Sequence, residues 1–329
     1  MLQLKDSPYN SSIYSRLWEK HYGEKVSTTI FKSIVGPQFV KSGVLNAYKN
    51  RTSNLTLQHY YEYNSINEDE LFNKLITIYD VPSYLKTTGK NDFSPRIKQK
   101  VVTEYNGFLI DMSLAASLEV YLKTQFNSKS RSKFRSYFRK LESSVDVAYK
   151  MFHGEISKEN YEYLITHFYE LSIKSFESRR INNKKLHDRN FEFIKEVFYE
   201  LLLDKKACLF VMYDKDKPIG ICLNYTSKDI LFGDSTVYDL NYSNYNIGII
   251  MIIKQLEWCF EKNIKRYDFS KGYFLYKEKW CNNVYKFEHH IIYDSKNIVV
   301  SIKAYFLYFF LSFKQYLREH KLRAYLKRF

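Results

Sequence analysis

The sequence has 329 residues, 45% of them hydrophobic and 26% charged, with 10 Gly, 5 Pro and 4 Cys. That excludes a chain too polar to bury a core and leaves one large domain or two of ordinary size. The formal net charge of +15 favours anionic partners (phosphates, nucleic acid or acidic lipid headgroups) without choosing among them.

The N-terminal MLQLKDSPYNSS is polar and has no apolar core of the kind a signal peptide carries. No stretch reaches the roughly 18 uninterrupted apolar residues of a membrane span. A cytoplasmic protein is the expectation. Cys208, Cys222, Cys259 and Cys281 lie far apart, without a CxxC pair, and read as reduced core thiols. His289 and His290 are adjacent on a predicted strand, so they point to opposite faces and cannot share a metal. No metal site is expected.

In chain order, a helix is predicted near Ser11–His21 and a strand over Leu55–Tyr63. INEDELFNKLITIYD, Ile66–Asp80, reads as a helix, and Gly107–Ser113 as a strand. From Asn127 the spacing of Phe134, Phe138 and Leu141 makes one apolar helical face, with Arg131, Arg135 and Arg139 as a basic stripe beside it. That stripe is either a solvated face or an anion-binding one. A strand over Asp146–Met151 and helices over Ser157–Phe176 and His187–Leu203 follow, the helices joined by the basic loop ESRRINNKK.

ACLFVMY, PIGICLNYT and ILFGDSTVY are three strand-like runs whose short turns dictate an antiparallel meander. Next comes a helix apolar all round from Ile247 to Met251, hence buried there, with Asn244 and Asn246 as N-cap candidates and Gly248 in its first turn. KRYDFS and Val284–Tyr293 are the last strands. The tail begins with a ten-residue apolar run, Ala304–Phe313, broken by Ser312 alone. It ends with Lys314, Arg318, Lys321, Arg323, Lys327 and Arg328 against Glu319 alone.

A helix N-terminus with exposed amides and a nearby glycine suits a pyrophosphate. Followed by YDFSKG and YKEKW, and preceded by the basic helix RSKFRSYFRKLE, the turn NIG resembles the GNAT-like acyltransferases. The resemblance is to the branch related to Fem-type peptidoglycan transferases and to acyltransferases of polysaccharide gene clusters, over roughly Ser128–Trp280.

It implies an α/β (α+β) fold of tandem GNAT-like lobes, each a mixed, mostly antiparallel sheet flanked by helices. The division would be a degenerate lobe over 1–126, a transferase lobe over 127–297 and a basic aromatic C-terminal helix over 298–329. It implies acyl-CoA, in the first place acetyl-CoA, as co-substrate and no permanently bound cofactor. The diphosphate would sit on Asn246, Ile247, Gly248 and Ile249. In this sequence Ser243 and Asn246 stand where the common loop has Arg or Gln and Gly.

Asp268, at a strand end, would take or orient the acceptor's proton, with Asp234 as a second base. Lys277 would bind an anionic group. Arg131, Arg135, Tyr276 and Trp280 would contact substrate. Each has a structural alternative: Asp268 as a turn-stabilising acid, Lys277 as a solvated lysine, Tyr276 and Trp280 as core or rim aromatics.

The function this implies is acyl-CoA-dependent N-acylation of an amine, an amino sugar or a cell-envelope glycan precursor. Residues 304–329 would lie at the inner face of an anionic membrane, or pack as a terminal helix. One alternative is an aminoacyl-tRNA-dependent transferase of the Fem type, against which no sustained heptads of a coiled-coil insertion are visible. The other is a non-catalytic basic adaptor for nucleic acid or membrane.

Overall fold

The computed structural model describes residues 7–23, 27–43, 45–51, 58–85, 93–178 and 188–319. The chain forms two compact units that are not cut in linear order. One is Met1–His21 with Phe108–Val284, the other Tyr22–Gly107 with Tyr285–Phe329.

A 3-10 turn over Pro8–Asn10 leads into α1 (Ser12–Tyr22). The strands that follow are β1 (Thr28–Thr29), β2 (Ile34–Val35), β3 (Phe39–Ser42), β4 (Ala47–Asn50), β5 (Glu62–Tyr63), β6 (Leu75–Pro82) and β7 (Ile97–Asp111). Helices α2 (Leu118–Gln125) and α3 (Ser128–Glu142) precede β8 (Val147–Phe152), α4 (Lys158–Ser178) and α5 (Asp188–Leu203). Then come β9 (Ala207–Asp214), β10 (Lys217–Thr226), β11 (Ile230–Tyr238), α6 (Ile247–Glu261), β12 (Arg266–Lys271), α7 (Leu275–Trp280), β13 (Asn283–Asp294) and α8 (Ile298–Glu319).

In the first unit the strand order is β12-β11-β10-β9-β8, with β11 and β12 parallel and the other pairs antiparallel. The antiparallel meander read from the short turns is present as β9-β10-β11. Helix α6 buries Ile247, Ile250, Met251, Ile253, Leu256 and Cys259 against this sheet, as its nearly all-apolar first turns require. All four cysteines are free and buried.

In the second unit the order is β1-β3-β4-β6-β13-β7, again mixed, with β4 and β6 parallel. Its core gathers Phe31, Ile34, Phe39, Tyr61, Ile76, Ile78 and Ile292. Arg96 grips the fully buried Asp294 with both oxygens, at 3.0 and 2.7 Å, while Asn73 and Lys296 donate backbone N–H groups to the same carboxylate. His290 accepts or donates through Nδ1 to Tyr61 and through Nε2 to Glu288.

The helix read over Ile66–Asp80 is a correction. Ser65–Leu71 is a 3-10 turn with Asn67 outside helical geometry, and Leu75–Pro82 is strand β6, buried at every position but Tyr79. LITIYDVP is rich in β-branched residues and apolar on both faces, so a central strand position outweighs the helical start offered by its acidic lead. Of the strand read over Leu55–Tyr63, only β5 falls among the described strands, and residues 52–57 lie outside the described part. The loop ESRRINNKK lies mostly outside it too, as does the tail from residue 320.

Candidate active site

The β11–β12 ladder covers three residue pairs, Ile230 with Arg266, Leu231 with Tyr267 and Phe232 with Asp268. Beyond them β11 continues to Tyr238 and β12 to Lys271 without pairing to each other, so the parallel strands part. On the other edge of β11 the register with β10 jumps from Asn224–Gly233 to Leu223–Ser235, which leaves Asp234 as the extra residue of a β-bulge. At Gly233 a Cβ would stand 3.2 Å from the Tyr267 ring, so the glycine allows β11 and β12 to close up just below the parting.

Helix α6 starts at the parted end. Asp239 caps the 3-10 turn Leu240–Tyr245, and the chain then enters α6 through Asn246, left-handed at φ 56°. Asparagine tolerates that conformation. The Asn246 N–H bonds Ser243 O, and Ile249 N–H returns to Asn246 O. The N–H groups of Ile247 and Gly248 have no partner among the described residues. Two orphan amides thus lie at the positive end of a 15-residue helix, a geometry that suits an anion. A Cβ at Gly248 would meet only Tyr238 Cε1, at 3.6 Å, among the described residues. Lys140 of α3 reaches Asn244 O at 3.0 Å and adds charge beside the turn. No sequence pattern marks Lys140, one residue beyond Arg139 of the basic stripe.

Asp268 is fully buried, and its Oδ1 accepts from Ser270 N–H at 2.6 Å. That bond holds Ser270 left-handed at φ 57° and starts the turn completed by Gly272 at φ 100°. The turn-stabilising role is therefore real for Asp268. Lys277 is buried rather than solvated. Its Nζ donates to the carbonyls of Phe269, Lys271 and Ser270 at 2.6, 2.9 and 3.4 Å, fastening α7 to the end of β12. Burial pulls its pKa down to about 8, against the nearby Asp268 carboxylate, which favours the charged form. The two residues thus share one buried electrostatic site.

Asp234 is half-buried and accepts from Ser235 Oγ at 2.8 Å. Tyr9 lies against this corner from the N-terminal segment, and no sequence signal marked it. Its ring packs on Tyr225 at 5.0 Å and Phe232 at 6.4 Å. Burial, then Tyr225, Asp234 and Asp268, hold its phenol well above the usual pKa.

Arg131 donates to the carbonyls of Phe126 and Lys123 and closes the end of α2, while Arg135 and Arg139 are exposed. Trp280 is buried between Phe126 and Phe134, 4.8 and 5.4 Å away, and ties α7 to α2 and α3. Tyr276 is 45% exposed and contacts Phe269 and Phe274. With Tyr273, Phe274 and Leu275 it forms an exposed apolar lip beside the parted strands. No cluster of metal-ligating side chains occurs among the described residues.

Residues 128–278, just under half of the chain, match the model of the acetyltransferase (GNAT) domain. No curated protein sequence matches the chain significantly. Solved structures share the fold across nearly its whole length. A conserved protein of unknown function from Bacteroides thetaiotaomicron is 10% identical with a TM-score of 0.57, over 87% of this chain and 91% of that one. The C-terminal domain of a putative lysylphosphatidylglycerol synthetase from Agrobacterium fabrum is 7% identical with a TM-score of 0.55, over 92% and 96%. FemX is 9% identical with a TM-score of 0.55, over 87% and 93%. The segment that carries the parted strands thus matches a GNAT acetyltransferase domain, and the fold around it is one that FemX and the synthetase domain share.

Proposed function

We propose that the chain is an acyl-CoA-dependent N-acyltransferase, acting at the parting of β11 and β12 on an amine such as an amino sugar or cell-envelope glycan precursor. The observation that carries this reading is the pair of orphan amides at Ile247 and Gly248, at the mouth of strands that separate past Phe232 and Asp268. The CoA diphosphate takes those amides, with Lys140 alongside and Asn246 and Ile249 shaping the turn. The thioester then lies in the gap. The acceptor nitrogen attacks the thioester carbonyl, a C–N bond forms and the C–S bond breaks. The ammonium proton passes to Asp268 or Asp234, and the thiolate leaves and is protonated. Lys277 keeps the end of β12 in place. Arg135 is available for an anionic group of either substrate, while Arg131, Tyr276 and Trp280 act by shaping the walls.

The exposed apolar face of α8 supports a location at the inner face of an anionic membrane, where glycan or lipid-linked acceptors occur. A second reading, an aminoacyl-tRNA donor of the Fem type, is favoured by the likeness to FemX and by the exposed Arg135 and Arg139.

The test is a thermal shift with acetyl-CoA on the wild type and Gly248→Asp. The new carboxylate suits a helix N-terminus, so the variant folds, but it repels a diphosphate. The expected result is a CoA-dependent shift in the wild type that is lost in the variant. A shift given by charged tRNA and not by CoA selects the second reading. A shift given by neither ends both.

A further inference from the structure

The face of the sheet opposite α6 holds a second set of groups. By register Tyr225 pairs with Phe232, and Phe232 with Asp268, so these three side chains project on one side of β10, β11 and β12. Their neighbours Asn224 and Tyr267 turn to the other side and bond Gln255 of α6. Tyr9 covers the row, 5% exposed, and its hydroxyl has no hydrogen-bond partner among the described residues. Ser270 is 4% exposed, and its Oγ has none either.

Two orphaned hydroxyls therefore flank one fully buried carboxylate, with Asp234 on the adjoining bulge. A buried hydroxyl left unsatisfied in this way costs the fold stability. The rings of Tyr9, Tyr225 and Phe232 pack together beside them. With the Lys277 ammonium engaged by the carbonyls of Phe269, Ser270 and Lys271, the acids, π faces and neutral hydroxyls together match a primary ammonium carried beside a hydroxyl group.

On the acyl-transfer reading, we infer that Tyr9 is an acceptor-binding residue: its hydroxyl and Ser270 Oγ, with Asp234 and Asp268, seat the primary ammonium of a hydroxyl-bearing amine. The N-terminal segment thereby supplies part of the site, and acceptor and CoA approach the gap from opposite faces of the sheet.

Tyr9→Phe tests this, because it keeps the ring contacts and deletes only the hydroxyl. Turnover is followed as thiol release from acetyl-CoA with D-glucosamine, ethanolamine and L-lysine. Amine-induced thermal shifts are measured in parallel and need no turnover. The expected variant has an unchanged or higher Tm, an unchanged shift with acetyl-CoA, and about tenfold weaker use and binding of the hydroxyl-bearing amines. A variant that uses and binds these amines as the wild type does overturns the assignment. So does a wild type that is shifted by acetyl-CoA yet neither stabilised by nor active on any of the three. Loss of the acetyl-CoA shift in the wild type itself instead sinks the acyl-CoA reading.

Discussion

Asp268 and Lys277 both hold the turn that ends β12. For Asp268 the sequence leaves a base and a turn-stabilising acid open, and the bond from Ser270 N–H establishes the second. Lys277 gives a pH signature. Its folded pKa of about 8 lies below the roughly 10.4 of an unfolded lysine. Between these values the unfolded chain holds the extra proton, so the penalty for burying the charge fades as pH rises and stability grows. Below about pH 8 both states are protonated and the penalty is fully present. In urea unfolding from pH 7.5 to 10.5, the wild type should gain about 1–3 kcal/mol over Lys277→Met across that window. A pH-independent difference would show that Lys277 stays charged in the fold. The lysine was legible as a candidate. Its burial was not, because three acceptor carbonyls come together only when β12 ends in a left-handed turn.

Among the elements, those nearest the site were the most legible. The meander β9-β10-β11, helix α6 and strand β12 have patterns that local sequence states outright: apolar runs bounded by turns, then a helix apolar on every side. Helices α2 and α7 carried no such pattern. Each is short, and α7 exposes Tyr273–Tyr276 just before and within its first turn. Strand β6 was misread because the acids Glu68–Glu70 look like a helix start, and only its partners β4 and β13 make the following run a strand. Helix α6 also separates stability from function. Gly248 sits at its second position with ordinary φ and only Tyr238 nearby. Gly248→Ala should therefore raise stability by up to about 0.5–1 kcal/mol while narrowing the approach to the two amides. Chemical denaturation beside acetyl-CoA titration would show both, and equal CoA affinity in the two proteins would argue against backbone contact at this turn.

At the scale of the molecule, the +15 charge acquires a direction from α8. One face of this helix buries Val300, Ala304 and Leu311 in the second unit. The other exposes Ile298, Ile302, Phe306, Phe309 and Phe313 by 60–75%, at three- and four-residue spacing. By length and composition α8 could also span a membrane. Lys303, Lys314 and Arg318 flank the stripe, and four more cationic residues follow in sequence. An amphipathic helix lying in an anionic surface fits that pattern. Co-sedimentation should show binding to vesicles containing phosphatidylglycerol, much less to phosphatidylcholine alone, and a loss of at least tenfold in Phe306→Glu/Phe309→Glu. Indifference to lipid charge, or a dimer that the double substitution dissolves, would assign the stripe to another partner.

The sequence by itself determined the surplus of positive charge, the order strand, strand, strand, helix, strand, and the orphan amides at the start of α6. These follow from composition and from patterns spanning a few residues. Only the tertiary structure decided that the units are built from discontinuous segments and that Lys277 is buried. It alone brought Tyr9 some 220 residues along the chain to Tyr225 and Phe232. Such contacts depend on strand register and on which face each side chain takes, and neither is written in any local stretch of the chain.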